Sequence, residues 1–386
     1  MKNICLLGAT GSIGESTIDI IRANPNEYTL SAFSFNQNIN KAREIINEFK
    51  PSLVASPVEE NIDILKKEYP DIEYSCNIND VAVYKCHNPY VINAVVGSAG
   101  LVPTITAIDA KRNVLLANKE TLVMAGKLVM DMAKKNNVKI IPIDSEHSAI
   151  FQLIGFNNKE INKIIITASG GALYNKTIEE LKNVTVEEAL KHPTWSMGAK
   201  ITIDSATMVN KAFEMIEAYH LFDLRLDQIT TLIHPESIIH SMVEFNDYSI
   251  FAQLGVSDMR LPIQYALNYP NHINNNVTKP LNLELLSTLH FNKMDECRFK
   301  AIKLARVVIE KGGFYPVVFN ASNEELVKMF LNREITIDEI VNTIEEEINR
   351  TEELYGHLAY NLENILKVDE LVKNNIKEKR GTTCIY

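Results

Sequence analysis

Asn3-Ile-Cys-Leu-Leu7, running straight into Gly8-Ala-Thr-Gly-Ser-Ile-Gly14, is the stretch from which the fold can be read. A short apolar run that ends in glycine reads as a buried strand, and the apolar spacing that follows predicts a helix over Ile13–Ala23. The three glycines then have separate tasks at one turn. Gly8 permits the tight bend, Gly11 lets backbone amides approach a pyrophosphate, and Gly14 allows the helix to pack close to the strand. The helix start adds the positive end of its dipole. Thr10, Gly11, Ser12 and Ile13 would line the phosphates of a dinucleotide.

Outward from this turn, strand and helix patterns alternate. Further strands are expected at Leu30–Phe35, Leu53–Ala55, Val91–Val95, Val114–Ala117 and Val138–Ile143, with helices at Ile39–Phe49, Leu101–Lys111 and Glu120–Asn136. That rhythm argues for a parallel, doubly wound sheet. After Asp144 it changes. Ile161–Ala168, Thr230–Ile233 and Ile238–Phe245 read as strands, Asn246-Asp-Tyr-Ser249 as a turn into Ile250–Leu254, and Ser205–Tyr219 as one long helix. Asn271–Asn292 suits a linker. Helical periodicity fills the rest, at Phe299–Glu310, Asn320–Leu331, Thr336–Thr351 and Leu362–Lys377. The expected class is α/β: an N-terminal Rossmann-like doubly wound parallel sheet, a central α+β catalytic domain and a C-terminal helical bundle.

Composition narrows the function. At 386 residues the chain exceeds one ordinary core, and 46% hydrophobic with 23% charged residues is a soluble globular balance. No apolar run approaches a membrane span. A net charge of −10 disfavours nucleic acid. The basic stretch Lys373 to Arg380 reads as a solvated tail. Five cysteines (Cys5, Cys76, Cys86, Cys297 and Cys384) form no CxxC pair, which suits reduced thiols in a cytoplasmic protein better than a zinc cage or a disulfide framework. The first strand begins too early to leave room for a signal-peptide core.

Where the second strand ends, Asn36-Gln37-Asn38 carries no carboxylate to hold a ribose 2′-hydroxyl. A 2′-phosphate would meet no repulsion, so NADPH is favoured over NADH. Asp144 and Glu146 lie two apart after an apolar strand, where period-2 alternation would send both to one side. Two such anions suit either a hard cation such as Mg²⁺ or Mn²⁺, or a solvated acidic turn.

The segment Asp204-Ser-Ala-Thr-Met-Val-Asn-Lys-Ala-Phe-Glu214 favours the cation. Ser205 suits an N-cap, helical spacing puts Asn210, Glu214 and Glu217 on one face, and Lys211 flanks them. A polar face where a helix should meet the core is costly without a charged ligand. Thr167-Ala-Ser169-Gly-Gly171 offers a small, amide-exposing turn to a phosphate. Trp195 stands in a loop bounded by Pro193 and Gly198, which suits a lid.

Taken together, GATGSIG, LLANKE (Leu115–Glu120), IDSEHSAI, TASGG, HPTWSMG, KITIDSATMVNK, HPESIIHSMVEF (His234–Phe245) and QLGVSDMR (Gln253–Arg260) resemble the 1-deoxy-D-xylulose-5-phosphate reductoisomerase family. The resemblance implies NADPH contacts from Thr10, Gly11, Ser12, Ile13, Asn36, Gln37, Asn38, Asn118, Glu120 and Gly198. It implies a divalent metal (Mg²⁺ or Mn²⁺, with Co²⁺ also usable) on Asp144, Glu146 and Glu214. Lys119, Ser145 and Glu146 would touch the carbonyl and hydroxyl end of a sugar phosphate. Ser169, His192, Ser205, Asn210 and Lys211 would hold its phosphate and backbone, and Trp195 and Met197 would cover it from a flap over His192–Lys200. Catalytic work would fall to Lys119, Glu146, His192 and Glu214. A homodimer is implied, with residues 1–143 binding NADPH, 144–275 for catalysis and dimerisation, 276–297 as linker and 298–386 as the helical domain. The family often has Gly-Lys-Asn where this chain has Asn36-Gln37-Asn38, so the usual lysine near the 2′-phosphate is missing.

Two rivals share part of this pattern. A semialdehyde or acyl-phosphate dehydrogenase has a GATGxxG start but needs an active cysteine on a polar loop. An NADPH-sensing regulator has no use for three carboxylates and a phosphate helix.

Overall fold

The computed structural model describes residues 1–155, 157–274 and 276–381; Cys384, and Asn275 within the expected linker, lie outside them. The chain forms two compact units that do not follow chain order. The first holds Met1–Thr121, Val129–Ser148 and Asp258–Pro280, and the second holds Leu122–Leu128, Ala149–Ser257 and Leu281–Tyr386.

The first unit is built on seven strands: β1 (Lys2–Leu7), β2 (Tyr28–Ser34), β3 (Leu53–Ala55), β4 (Glu73–Ser75), β5 (Pro89–Asn93), β6 (Val114–Leu116) and β7 (Ile140–Pro142). They run in the order β4-β3-β2-β1-β5-β6-β7, all pairs parallel. Ile4, Leu6, Val54, Ile92 and Leu115 are fully buried, as a parallel sheet covered on both faces requires. The order reverses beside β1: the chain steps outward to β4 and then returns to β5. The crevice outside the strand ends at such a switch is the expected ligand site. Helix Arg260–Asn268 belongs to this unit, and the Lys2 ammonium caps its end through the Leu267 carbonyl at 2.6 Å and Asn268 Oδ1 at 2.9 Å.

The second unit carries β8 (Ile161–Ala168), β9 (Ile229–Ile233), β10 (Ile239–Phe245), β11 (Ile250–Leu254) and β12 (Asn292–Lys293), ordered β11-β10-β8-β9-β12. Only β8 and β9 pair in parallel; the expected hairpin joins β10 to β11. Ile165, Ile239 and Met242 form a small core under the sheet with Leu232, Ala252 and Leu289. The C-terminal helices are Lys300–Lys311, Tyr315–Leu331, Ile337–Asn349 and Leu362–Gly381, with a short one at Thr351–Tyr355. Phe213 meets Phe319 edge-on at 5.1 Å, fixing helix Val209–Leu221 against Tyr315–Leu331. Among the described residues no helix is long and apolar enough to cross a membrane.

Two expectations are corrected. The basic stretch from Lys373 is no solvated tail: Val372 and Ile376 are buried, and Lys373 bridges Glu324 at 2.6 Å and Asp369 at 2.7 Å. The long helix over Ser205–Tyr219 is two helices, Ala199–Ala206 and Val209–Leu221, broken at Met208 with φ 62°. The Thr207 hydroxyl takes the Ile203 carbonyl at 3.1 Å and the Asp204 carbonyl at 3.2 Å, which ends the first helix locally. Ser205 therefore lies in a last turn and is not an N-cap.

Candidate active site

In the first unit, Gly8 adopts φ +82°, and a Cβ there would stand 2.6 Å from the Ala94 carbonyl oxygen beyond β5. A Cβ on Gly14 would come within 2.3 Å of the Gly8 oxygen and 2.4 Å of the Ala9 oxygen. Helix Ser12–Ala23 starts at Gly11 with no side-chain cap, so its first amides are suited to a phosphate. Thr10 and Ile13 flank this turn half-buried, and Gly11 and Ser12 are exposed on it.

Asn36, Gln37 and Asn38 are exposed just past β2. Asn38 caps helix Ile39–Phe49 by accepting from the Lys41 amide at 3.0 Å. Asn118 is buried and organises the loop after β5. Its Nδ2 donates to the carbonyls of Val95 at 2.7 Å and Gly97 at 2.9 Å and to Glu120 Oε2 at 3.0 Å, while its Oδ1 accepts from the Thr121 amide at 3.0 Å.

Lys119 opens the next helix, with Nζ 2.5 Å from Asp144 Oδ2; His147 Nδ1 lies 3.0 Å from the same oxygen. Burial by itself would push the Asp144 carboxyl up, but the Lys119 ammonium, and then His147, outweigh it and hold the group well below the usual carboxylate range. Ser145 Oγ donates to Glu146 Oε2 at 2.5 Å. The shared strand face expected for Asp144 and Glu146 is corrected. β7 stops at Pro142 and a helix begins at Ser145, so Glu146 stands in a first helical turn, where the dipole favours an anion.

In the second unit, Ser169 Oγ lies 3.0 Å from His192 Nε2 and accepts from the Gly171 amide at 3.2 Å. Gly171 has φ +70°, and a Cβ on it would meet the Ser205 carbonyl oxygen at 2.5 Å; the turn after β8 is thus pressed against Ser205. His192 Nδ1 accepts the Thr194 amide at 3.2 Å and the Trp195 amide at 3.0 Å. Burial lowers the His192 pKa. The Trp195 ring sits 6.0 Å from that of His240; Met197 is half-buried and Gly198 exposed.

Glu214 is fully buried on helix Val209–Leu221. Asn210 Nδ2 donates to its Oε1 at 2.5 Å, and the Lys211 ammonium, also buried, pairs with Oε2. The polar face inferred from spacing is therefore an interior one.

The structure thus gathers Lys119, Asp144, Ser145 and Glu146 within one unit, and Ser169 with His192, Ser205 with Gly171, and Asn210 and Lys211 with Glu214 within the other. Two contributors carried no assigned role in the sequence reading. His147 holds Asp144 from three residues on, a spacing visible in IDSEHS. Arg298 donates to the Leu173 and Tyr174 carbonyls and so braces the turn after Gly171, and nothing in the sequence around it signals this.

Comparison with known proteins gives one answer. Family models described as 1-deoxy-D-xylulose 5-phosphate reductoisomerase, its C-terminal domain, and DXP reductoisomerase C-terminal domain match residues 4–126, 140–222 and 254–375. A 1-deoxy-D-xylulose 5-phosphate reductoisomerase of Bacillus cereus (strain AH187) is 49% identical over 386 residues, covering 98% of this chain and 100% of that protein. One from Geobacillus sp. (strain WCH70) is 49% identical over 383 residues, covering 98% and 99%. A crystal structure of DOX-P reductoisomerase in complex with NADPH, fosmidomycin and magnesium aligns with a TM-score of 0.93 at 38% identity, covering 99% of this chain and 98% of that one. The Zymomonas mobilis enzyme in complex with NADPH aligns at 0.90 and 35% identity, covering 98% and 99%.

Proposed function

Because the chain belongs to the 1-deoxy-D-xylulose 5-phosphate reductoisomerase family, we propose that it isomerises 1-deoxy-D-xylulose 5-phosphate and reduces the product with NADPH to 2-C-methyl-D-erythritol 4-phosphate. This is a step of non-mevalonate isoprenoid precursor biosynthesis. The observation that carries the reading is Glu214, a carboxylate with no exposure, flanked by a buried lysine and an amide. Lys211 and Asn210 offset the cost of burying that charge, and the cluster sets a carboxylate, an ammonium and an amide side by side in the interior, the groups that a metal ion and a phosphate would each use.

The residues fit both expected cofactors. At Gly8 and Gly14 a Cβ would strike the chain's own backbone, so only glycine keeps this turn and helix start, while a Cβ on Gly11 would meet nothing nearer than the Gly8 oxygen at 3.6 Å, so that this side is open to a pyrophosphate. Asp144, Glu146 and Glu214 offer oxygen ligands alone, which suits Mg²⁺ or Mn²⁺, with Co²⁺ as a substitute. A cation held there polarises a ketone and acidifies a neighbouring hydroxyl, and NADPH supplies the hydride.

The chain's own groups do the rest. Lys119 and Glu146 hold protons at the hydroxyl end of the substrate, and Ser145 orients Glu146. Ser169, His192, Ser205, Asn210 and Lys211 hold the phosphate and sugar backbone and so fix the reacting carbons. Since His192 Nδ1 accepts two amides, its Nε2–H is directed at Ser169, whose own proton can then go to a phosphate oxygen. Trp195 and Met197, on the His192–Lys200 segment, exclude water when it closes. Thr10, Gly11, Ser12, Ile13, Asn36, Gln37, Asn38, Asn118, Glu120 and Gly198 form or shape the NADPH site. Residues 1–143 bind the cofactor, 144–275 carry catalysis and dimerisation, 276–297 link, and 298–386 close the chain. A cytoplasmic homodimer completes the reading, supported by the free thiols of Cys5, Cys76, Cys86 and Cys297 among the described residues and by the apolar side chains exposed along β11.

The test is NADPH consumption followed by absorbance with 1-deoxy-D-xylulose 5-phosphate, with and without a chelator. Turnover should stop with chelator and return with Mg²⁺ or Mn²⁺; metal-independent turnover, or none at all, overturns the proposal.

A further inference from the structure

Asp204 lies in the last turn of helix Ala199–Ala206, only 2% exposed. Its Oδ2 pairs with Lys200 Nζ at 2.9 Å, and its Oδ1 accepts from Asn323 Nδ2 at 2.8 Å. Lys200 stands in the first turn of the same helix, directly after the loop that carries Trp195, and its ammonium lies 5.4 Å from the Phe213 ring centroid.

This helix is poorly made as a helix. Its cation sits at the start and its anion at the end, both against the dipole. Gly198 provides no side-chain cap, and Ile201, Thr202 and Ile203 in its middle are all β-branched. Asn323 adds a cost of its own. A carboxylate only accepts, so the Asn323 amide must turn its Nδ2 to Asp204, and its buried Oδ1 then has no hydrogen-bond partner among the described residues. A weak helix tied down by a costly anchor is explained by what it connects: the covering loop at one end and Ser205 at the other.

We propose that Asp204 is a positioning residue: anchored by Asn323, it holds Lys200, and with it the C-terminal end of the covering loop, so that the loop closes over a bound sugar phosphate in register with Ser205. This rests on the reading of His192–Lys200 as that loop.

Trp195 is the only tryptophan in the chain, so its emission reports the loop directly. Iodide quenching of Trp195 would be followed while 1-deoxy-D-xylulose 5-phosphate is titrated onto the enzyme with its metal. In the wild type the substrate should shield Trp195. In Asp204→Asn, Asn323→Ala and Lys200→Met the same shielding should need on the order of tenfold more substrate, with KM for the sugar phosphate raised in step and KM for NADPH unchanged. Lys200→Met, on a partly exposed side chain, keeps the test open should either buried variant fail to fold. Shielding at wild-type concentrations in folded variants overturns the role of Asp204. A wild type whose Trp195 ignores the substrate instead overturns the loop reading, and the inference with it.

Discussion

Nε2 of His192 lies 3.0 Å from Oγ of Ser169, and the backbone on the far side of the ring decides which atom donates. Nδ1 accepts the amides of both Thr194 and Trp195, so it carries no proton and Nε2 does. The ring is neutral, the state that burial also favours.

Acid should undo this arrangement. The native pKa of His192 lies below the ordinary value of about 6.5. Its stabilising contribution is therefore complete above that value and is lost as pH falls through the lower native one. A protonated Nδ1 cannot accept the two amides, so KM for the sugar phosphate should hold steady above about pH 6.5 and climb as pH falls below it. The phosphate itself titrates in this range, and His192→Asn supplies the control. Superimposable KM–pH profiles for wild type and variant would remove His192 from the phosphate turn.

Lys211→Met leaves the Glu214 carboxylate buried without its cation. Breaking such a pair costs about 3–5 kcal/mol, which a thermal melt will read easily. Mg²⁺ should recover a large part of that loss, because it supplies the missing charge. An equal loss with and without metal would separate Glu214 from the metal site.

What could be read beforehand follows from how each feature is encoded. β1 and β3 are buried on both faces and appear as unbroken apolar runs, Ile4–Leu7 and Leu53–Ala55, so they were legible. β4 was not, since Glu73-Tyr-Ser75 is an edge strand with no apolar pattern. The break at Met208 was hidden because a left-handed residue is usually announced by glycine or asparagine, and methionine announces nothing. Asn210, Lys211 and Glu214 were visible through helical spacing alone. Arg298 on the Leu173 and Tyr174 carbonyls, and Asn323 on Asp204, join residues more than a hundred positions apart, where no local pattern reaches.

Gly171→Ala and Gly198→Ala should differ sharply. The first places a Cβ against the Ser205 backbone at a positive φ; the second meets nothing within 4 Å. Strain of this kind costs on the order of 1–3 kcal/mol, and relief by moving the turn would displace Ser169. The melting temperature should fall and KM for the sugar phosphate should rise in Gly171→Ala, whereas Gly198→Ala should leave the melting temperature near wild type. Equal behaviour would show that the approach of the turn to Ser205 is unimportant for binding.

Asn36→Asp should shift cofactor preference. A carboxylate at the end of β2 repels a 2′-phosphate and can hold a 2′-hydroxyl. The ratio of kcat/KM for NADPH to that for NADH should fall, on the order of tenfold for one such interaction. An unchanged ratio places the ribose elsewhere.

β11 makes the case for a second copy. It is the outer strand of its sheet, yet Ile250, Phe251 and Leu254 are 49%, 56% and 38% exposed. Phe251 packs edge-on against Phe245 at 5.3 Å. Edge strands of lone proteins are usually blunted by charge or proline, and this one carries neither. An isologous contact, β11 against β11 of another copy, would cover the patch twice over with one symmetry operation. Light scattering should therefore give twice the chain mass for the wild type, and Phe251→Glu should release monomer at micromolar concentration. A monomeric wild type would refute the homodimer and leave the β11 edge for another partner.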